Sequence, residues 1–137
     1  MKVQDVMTRD PATLAPAATC VEAAKLMQKE DCGSLPIVDD GRLVGIVTDR
    51  DIVIRCLASD SDPRTMSVAE VMSPDPATID AGEDVKVAER IMAERQIRRL
   101  PVCEAGRLRG IVVIGQLARE DRSDARIGDT LKEISKS

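Results

Sequence analysis

The sequence predicts a mixed α/β (α+β) fold, built from two copies of one β-α-β-β-α unit and followed by a C-terminal helix. The first observation is a repeat: Val6–Val47 and Val71–Val112 match at 16 positions without a gap, at an offset of 65 residues. The second is a run of apolar residues at helical spacing in each copy. The third is a pair of short apolar runs joined by a glycine-containing turn, which indicates a β-hairpin. A fixed repeat of this kind makes each copy one supersecondary unit.

The repeat divides the chain into three parts. We place the first repeat at residues 1–62, the second at residues 63–120 and a helical tail at residues 121–137. A unit of roughly 60 residues buries only a modest share of its surface when it is alone. We therefore expect the two repeats to pack together and the protein to form a homodimer. The tail carries apolar residues on one predicted helical face, at Ile127, Leu131 and Ile134.

The first half of repeat one predicts a short helical turn, an extended segment and a longer helix. The sequence VQDVM near the start has the apolar spacing of one helical turn. Thr19 and Glu22 form a capping-box pattern, so we expect a helix over about Cys20–Asp31. Gly33 is expected to end it, because glycine commonly follows the last helical turn.

The second half of repeat one predicts a hairpin and another helix. Leu35–Val38 and Leu43–Val47 indicate two buried strands, and Asp40-Gly41 suits the positive φ values of the tight turn between them. Gly45 allows another stretch of backbone to approach the second strand closely. A helix follows through about Leu57.

Repeat two follows the same order after a polar linker at residues 59–66. Ser67 caps a short helical turn, and Asp84 caps the longer helix. The remaining elements are two strands and a last helix, expected at Leu100–Cys103, at Leu108–Ile114 and from about Gln116 onward.

The composition excludes several classes of function. The 137 residues include no Phe, Tyr, Trp or His, and the formal net charge is −4. Without aromatic side chains there is no platform on which nucleic-acid bases can stack, and the acidic balance disfavours a phosphate backbone. Without His there are no imidazole metal ligands and no Ser-His or Cys-His nucleophiles. We therefore predict no nucleic-acid partner, no catalytic residues and no enzyme.

The spacing of the cysteines and the length of the apolar runs lead to predictions about cellular location, metal binding and membrane contact. Four cysteines lack CxxC spacing and are interpreted as reduced thiols of a cytoplasmic protein; they are Cys20, Cys32, Cys56 and Cys103. A zinc site made from cysteines alone stays open as the less favoured alternative, and no metal ligand is predicted. No apolar run reaches the ~18–20 residues needed to cross a bilayer, so no membrane partner is expected.

The duplicated motif carries a family resemblance. A VM pair near the start of each copy, followed by LP and then by G-R-L-x-G-I-V, resembles the tandem cystathionine-β-synthase (CBS) domain pair, also called a Bateman module. The resemblance covers roughly residues 3–120. The stretch TDRDIVIRCLASDSDP, residues 48–63, is also similar to stand-alone bacterial CBS-pair proteins, including the hypoxic-response type of actinobacteria.

The resemblance implies an architecture and a class of ligand. It implies two units related by a pseudo-two-fold axis, with their sheets packed together and two clefts between them. Modules of this family usually pair through their helices into a flat dimer. Their clefts often hold AMP, ADP or ATP, and sometimes S-adenosylmethionine or NAD.

Repeat one carries a pattern similar to the family's ribose-binding signature, which implies that Thr48 and Asp51 bind the nucleotide. A carboxylate accepts hydrogen bonds from both ribose hydroxyls, and the threonine hydroxyl reaches a phosphate or ribose oxygen. The helix that starts there is expected to offer free N–H groups to an anion. The same two residues also fit a capping box, which needs no ligand.

Repeat two has Val113 and Gln116 at the equivalent positions, so we expect one nucleotide site rather than two. Arg98 and Arg99 stand just before its LPV motif. In the family, basic residues there tend to reach phosphates bound at the other repeat's Thr/Asp motif, and the arginine fork suits this role. A solvated rim, or ion pairs with Glu94 or another carboxylate, is the alternative.

Three further positions concern the adenine base. Thr13 and Leu14 lie on the family's first short strand, which implies contact with adenine, and Ile46 is expected at the opposite face of the ring. Each can equally be an ordinary core or strand residue.

Two functions are therefore open. One is a regulatory module that binds an adenine nucleotide in one cleft and signals by conformational or oligomeric change to an unidentified downstream protein. The other is a ligand-free dimeric scaffold of a stress response. A nucleotide-dependent shift in melting temperature discriminates them.

Overall fold

Two structural units, each centred on one β-hairpin, account for residues 1–120, the part of the chain that the computed structural model describes. The first unit contains Ala12–Pro76. The second unit contains Met1–Pro11 together with the described residues from Ala77 to Glu120. The opening helical turn of each sequence repeat thus belongs to the unit built around the other repeat's hairpin. The predicted tail helix at residues 121–137 lies outside the described residues.

The elements are numbered in chain order. The helices are α1 (Val3–Val6), α2 (Cys20–Glu30), α3 (Asp49–Asp51), α4 (Val85–Arg95) and α5 (Ile114–Glu120). A π-helical stretch at Ile52–Leu57 continues α3, and a 3₁₀ turn lies at Val68–Glu70. The strands are β1 (Thr8–Arg9), β2 (Ser34–Asp39), β3 (Arg42–Thr48), β4 (Ser73–Pro74), β5 (Ile79–Asp80), β6 (Arg99–Glu104) and β7 (Arg107–Val113). The predicted mixed α/β class is confirmed.

The sheet of the first unit is built on the β2–β3 hairpin. Asp40 and Gly41 adopt the positive φ values, 51° and 81°, that the Asp-Gly turn predicts. β4 pairs antiparallel with the other side of β3, and Leu14 makes a parallel bridge to Ile37 of β2. The core is formed by the apolar side chains of α2, the hairpin and the 3₁₀ turn; its fully buried members include Cys20, Ala23, Ile37, Val47, Cys56, Val68 and Val71.

The second unit repeats this sheet at the 65-residue offset. β6 and β7 form the hairpin, β1 pairs antiparallel with β7, and β5 pairs parallel with β6. Both hairpins carry a β-bulge at equivalent positions, between Ile37 and Val38 and between Val102 and Cys103. The core is again continuous; its fully buried members include Val3, Ala88, Met92, Leu100, Val102 and Val112.

A glycine in the second strand of each hairpin allows a close approach. A Cβ atom at Gly45 would lie 2.5 Å from Sδ of Met72 and 3.0 Å from the carbonyl oxygen of Ser73. A Cβ atom at Gly110 would lie 2.6 Å from the carbonyl oxygen of Thr8. The predicted close approach at Gly45 is confirmed, and the second unit depends on the same device.

Two boundary predictions were wrong. Gly33 does not end α2; Asp31 does, in the left-handed conformation at φ 51°, which aspartate tolerates better than most residues. The second strand of repeat two ends at Val113 rather than Ile114, because Gln116 caps the backbone there and α5 starts at Ile114, two residues before the expected Gln116. The predicted caps Thr19, Ser67 and Asp84 are confirmed.

None of the helices between residues 1 and 120 is long and apolar enough to cross a bilayer.

Candidate functional site

The junction between β3 and α3 is closed by a reciprocal capping box. The Thr48 hydroxyl accepts a hydrogen bond from the Asp51 N–H at 3.1 Å, and Oδ2 of Asp51 accepts one from the Thr48 N–H at 2.9 Å. Such a box stabilises a helix start by about 0.5–2 kcal/mol, so it accounts for both residues without a ligand. The capping alternative raised by the sequence is therefore present.

Capping does not use up the hydrogen-bonding capacity of these side chains. The Thr48 hydroxyl still has a proton to donate, and a carboxylate offers about four lone-pair sites, of which the box takes one. The second oxygen of Asp51, Oδ1, lies 3.8 Å from Nη1 of Arg55, and the Asp51 side chain is only 12% exposed. Both residues can therefore cap the helix and contact a ribose at the same time.

The start of α3 does not offer free N–H groups, which corrects the sequence-based expectation. The Asp49 N–H donates to the Gly33 carbonyl at 2.9 Å, and the Arg50 N–H donates to Oδ1 of Asp49 at 2.8 Å. The third N–H, that of Asp51, is held by Thr48. Because all three donors are already engaged, a phosphate group near this junction needs cationic side chains instead.

The equivalent junction between β7 and α5 is closed by one amide side chain. Oε1 of Gln116 accepts a hydrogen bond from the Val113 N–H at 3.2 Å. Nε2 of the same side chain donates to the Thr8 hydroxyl. Val113 has no hydroxyl, and both ends of the Gln116 amide are engaged within the second unit. This junction therefore has no carboxylate for a ribose.

Arg98 and Arg99 lie at the start of β6. Arg98 is exposed and its carbonyl accepts a hydrogen bond from the Ile114 N–H at 3.0 Å, while Arg99 is half-buried and pairs with Val113 across the hairpin. Among the described residues neither guanidinium has a carboxylate within 4.0 Å, so the alternative ion pair with Glu94 is not formed. Thr48 and Asp51 come together in the first unit and the arginines in the second; a site shared by the two pairs stays a prediction.

Thr13, Leu14 and Ile46, the three positions expected to contact adenine, differ in how exposed they are. The N–H of Leu14 donates to the Pro36 carbonyl at 3.1 Å, its carbonyl accepts from the Val38 N–H at 2.8 Å, and its side chain is buried. Thr13 beside it is exposed. Ile46 is half-buried and, two residues from Thr48 on one strand, lies on the same face of β3.

Sequence reasoning missed Arg55. Its Nη1 atom donates to the carbonyls of Val71 at 2.8 Å and Met72 at 3.3 Å, and lies near Asp51. The spacing of four residues between Asp51 and Arg55 on a helix was the available signal. The contacts with residues 16 and 17 positions away had no counterpart in the sequence.

A groove of about 590 Å³ lies between α2 and the π-helical stretch of the first unit. Its walls include Met27, Ile52 and Val53, and its rim carries Asp31 and Asp49. Three apolar side chains on the same stretch are about half exposed; they are Val53 (51%), Ile54 (50%) and Leu57 (50%). An acidic rim disfavours a phosphate ligand, whereas apolar walls favour another apolar surface.

The cysteines are all free. Cys20 and Cys56 contact each other in the core of the first unit, where burial and a hydrogen bond with Cys56 raise the pKa of the Cys20 thiol to about 11. Burial also raises the pKa of Cys103, with a smaller contribution from Asp80. Across residues 1–120, no group of three or more Cys, Asp or Glu side chains is arranged to hold a metal ion.

Comparison with known sequences gives consistent matches over nearly the whole chain. The model of the CBS domain matches residues 3–57 and again residues 68–123. The CBS domain-containing protein YhcV of Bacillus subtilis is 41% identical over 133 residues, which cover 97% of this chain and 94% of that protein. Hypoxic response protein 1 of Mycobacterium tuberculosis is 38% identical over 117 residues, covering 85% of this chain and 82% of that protein.

Solved structures give the same result. Hypoxic Response Protein I with two coordinated zinc ions matches with a TM-score of 0.82 at 37% identity, covering 88% of this chain and 99% of that one. CBSX2 in complex with AMP matches at 0.76 and 29% identity, covering 87% and 94%. The CBS domain pair of MJ0100 with 5-methylthioadenosine and S-adenosyl-L-methionine matches at 0.75 and 31% identity, covering 88% and 94%.

Proposed function

The chain belongs to the CBS domain family, as a tandem CBS pair, and from that premise we propose that it is a regulatory module for an adenine nucleotide. Thr48 and Asp51 bind the ribose side of the ligand, and Arg98 and Arg99 bind its phosphates. Occupancy changes the conformation or the assembly of the protein, which a downstream protein detects. The module itself is not an enzyme.

The observation that carries this proposal is the unused capacity of the Thr48–Asp51 pair. Oδ1 of Asp51 and the hydroxyl proton of Thr48 remain available after capping. A nearly buried carboxylate that still accepts hydrogen bonds suits a ribose diol, because the two hydroxyls replace water without leaving a donor unpaired. The amide of Gln116 at the equivalent place is engaged at both ends.

Arg98 and Arg99 are proposed as the phosphate-binding residues because a phosphate needs donors that the start of α3 lacks. The first three N–H groups of α3 are engaged, so the helix start cannot supply donors to an anion. Arg98 and Arg99 have no described carboxylate partner, which leaves their guanidinium forks able to bind phosphate oxygens in a bidentate manner. Their assignment to this ligand rests on the family pattern.

The adenine base is assigned to Thr13, Leu14 and Ile46. Ile46 supports this assignment through its position on the same face of β3 as Thr48. The described neighbours are named as complexes with AMP, S-adenosyl-L-methionine and 5-methylthioadenosine, which share an adenosine group. We place AMP, ADP and ATP before S-adenosylmethionine, which has no phosphate for the two arginines to bind. NAD is also placed second.

A homodimer through the helices completes the proposal. The half-exposed side chains Val53, Ile54 and Leu57 line one helix beside an apolar groove, and such a surface favours association. We propose no zinc site for this chain. The zinc ions belong to the neighbouring protein, whereas this sequence has no His and its described residues hold no metal-binding cluster.

The first experiment uses the absence of aromatic residues. A chain without Trp, Tyr or Phe absorbs little near 260–280 nm, so an adenine ring carried through gentle purification stands out. Mass spectrometry of the heat-released supernatant identifies it. Thermal shift with AMP, ADP, ATP and S-adenosylmethionine follows, because a ligand at ~100 times its Kd stabilises by roughly 2.7 kcal/mol.

A pair of threonine variants supplies the control. Thr48→Ala and Thr19→Ala each remove a hydroxyl that accepts one helix N–H at 3.1 Å, so both lose a similar cap energy of about 0.5–2 kcal/mol. Only Thr48→Ala is expected to weaken the nucleotide-dependent shift. If both variants keep the full shift, Thr48 is a cap and nothing more.

The capping box itself favours a second candidate, a ligand-free dimeric scaffold. In that case Thr48 and Asp51 start a helix and have no ligand. A protein whose melting temperature does not respond to any of the four nucleotides, and which carries none through purification, is this scaffold.

A further inference from the structure

Arg55 connects the candidate ribose site to a distant part of the first unit. Nη1 of Arg55 lies 3.8 Å from Oδ1 of Asp51. The same atom donates to the carbonyl oxygens of Val71 at 2.8 Å and Met72 at 3.3 Å. Those carbonyls follow the 3₁₀ turn Val68–Glu70, where the last carbonyl groups of a helical turn have no partner within the turn.

Asp51 and Arg55 face each other, and each is also held by hydrogen bonds to the backbone. Oδ2 of Asp51 is held by the Thr48 N–H, and Oδ1 faces Arg55, so both oxygens of the carboxylate have a defined environment. Arg55 is itself anchored by two backbone carbonyls 16 and 17 residues along the chain. The orientation of the Asp51 carboxylate therefore depends on Arg55 as well as on the helix cap.

The backbone around Arg55 is also unusual. Arg55 lies in the π-helical stretch, where the Ala58 N–H donates at 2.9 Å to the Val53 carbonyl five residues earlier. π-helical turns are rare and are often found at functional sites. At the 65-residue offset the second repeat has Glu120, which is acidic, so a basic residue at this position occurs only in the repeat with Thr48 and Asp51.

We propose that Arg55 is a positioning residue of the nucleotide site, which orients the Asp51 carboxylate and offsets its negative charge beside the ligand phosphates. This inference rests on the proposed function. Asp51 and the phosphates carry the same sign, and their repulsion opposes binding of the whole nucleotide. A cation 3.8 Å from Oδ1 lowers that repulsion, and it does so without contacting the ligand.

A role in stability predicts different results. Arg55 is about half exposed, and an ion pair of this kind contributes little to folding. Loss of the two carbonyl contacts lowers the melting temperature equally for any substitution that removes them. Loss of the charge near Asp51 instead changes nucleotide affinity and its dependence on salt, because screening acts on the charge.

The test compares Arg55→Lys with Arg55→Gln. Lysine keeps the charge, whereas glutamine keeps a donor for the carbonyls and loses the charge. With the tightest-binding nucleotide among AMP, ADP and ATP, we expect Arg55→Gln to weaken binding roughly 3- to 30-fold and Arg55→Lys to stay near wild type. Adenosine, which has no phosphate, is expected to lose less affinity. Arg64→Gln, which removes an exposed arginine paired with Asp62 in the same unit, is the matched control.

Each outcome has a meaning. If wild type binds a nucleotide and Arg55→Gln binds it equally well, Arg55 has no positioning role and the proposed function stands. Equal weakening by Arg55→Gln and Arg55→Lys, in step with lower melting temperatures, assigns Arg55 to the fold and also overturns the inference. A wild-type protein that binds none of the nucleotides overturns both proposals.

Discussion

At the junction between β3 and α3 a threonine and an aspartate close the helix start, whereas a single glutamine does so between β7 and α5. The backbones of the two junctions follow the same register at the 65-residue offset. They differ in what remains after capping. The first leaves a carboxylate oxygen and a hydroxyl proton, and the second engages both ends of its amide.

The comparison distinguishes the capping role of these residues, which serves the fold, from their capacity to contact a ligand. At both junctions a side chain accepts the N–H of the residue just before the helix, Thr48 or Val113, so both residue sets serve the fold. The Thr48–Asp51 set also leaves an anionic carboxylate oxygen, Oδ1 of Asp51, outside the cap, whereas the second junction has no carboxylate. A duplicated sequence can therefore keep its fold in both halves while ligand chemistry is confined to one.

The largest predicted effect is a loss of nucleotide affinity when Asp51, the acidic residue of the first junction, is replaced. Asp51→Asn removes the charge that we propose accepts two ribose hydroxyls, and we expect nucleotide affinity to fall roughly 100-fold. Gln116→Ala removes the equivalent cap of the second unit, and nucleotide affinity is expected to stay within about twofold. Titration calorimetry measures both variants. An equal loss in the two variants contradicts the assignment of one site.

The next effect concerns the arginines. The double variant Arg98→Ala/Arg99→Ala is expected to weaken ADP or ATP binding roughly 10- to 100-fold, because charge-assisted hydrogen bonds to phosphate are lost. Adenosine binding should change little. Arg109→Ala, an exposed arginine on β7 of the same unit, is the control. A similar loss for adenosine and ATP places the arginines away from the phosphates.

The next predicted effect is on the free energy of unfolding, and it compares alanine substitutions at Gly45 and Gly110. Gly110→Ala places a Cβ atom against the Thr8 carbonyl oxygen, which is backbone and cannot move freely. Gly45→Ala first meets Sδ of Met72, the end of a flexible side chain. Overpacking costs about 1–3 kcal/mol, and we expect Gly110→Ala at the upper end and Gly45→Ala at the lower end. Urea unfolding measures the difference, and the reverse order contradicts the packing described.

The smallest effect follows from a cysteine present in one repeat. Cys20 aligns with Val85, and burial raises the pKa of Cys20 from an ordinary value of 9.0 to about 11. The stabilisation from keeping this thiol neutral is fully present below pH 9 and is lost as the pH rises toward 11. We expect a loss of about 1 kcal/mol by pH 10. Cys20→Val should lack this loss when unfolding is measured at pH 7 and pH 10; an identical pH response in the two proteins contradicts it.

Local patterns explain most of what the sequence predicted correctly. The Asp40-Gly41 turn, the Thr19 and Asp84 caps and the Thr48–Asp51 box all involve residues within three positions of each other. Their preferences act over a single turn of chain, so they can be read without a structure. Local patterns gave the wrong end for α2. Asp31, two residues before Gly33, adopts the left-handed conformation that the sequence pattern assigned to the glycine.

Long-range contacts explain what the sequence did not predict. The Gly33 carbonyl engages the Asp49 N–H, which removes the free donor expected at the start of α3. The contacts of Arg55 with Val71 and Met72 arise because the π-helical stretch packs near the 3₁₀ turn. The exchange of the opening helical turns between units is also a tertiary effect. None of these depends on residues close in sequence.

The most direct test of one site per chain is a count of bound nucleotides. Equilibrium dialysis followed by absorbance at 260 nm gives the stoichiometry, since the protein has no aromatic side chains to absorb there. The structure and the comparison of its two junctions predict one nucleotide per chain, unchanged in Gln116→Ala and largely lost in Asp51→Asn when the free nucleotide is held at about ten times the wild-type Kd. Two nucleotides per chain, or one that persists in Asp51→Asn, contradicts the account.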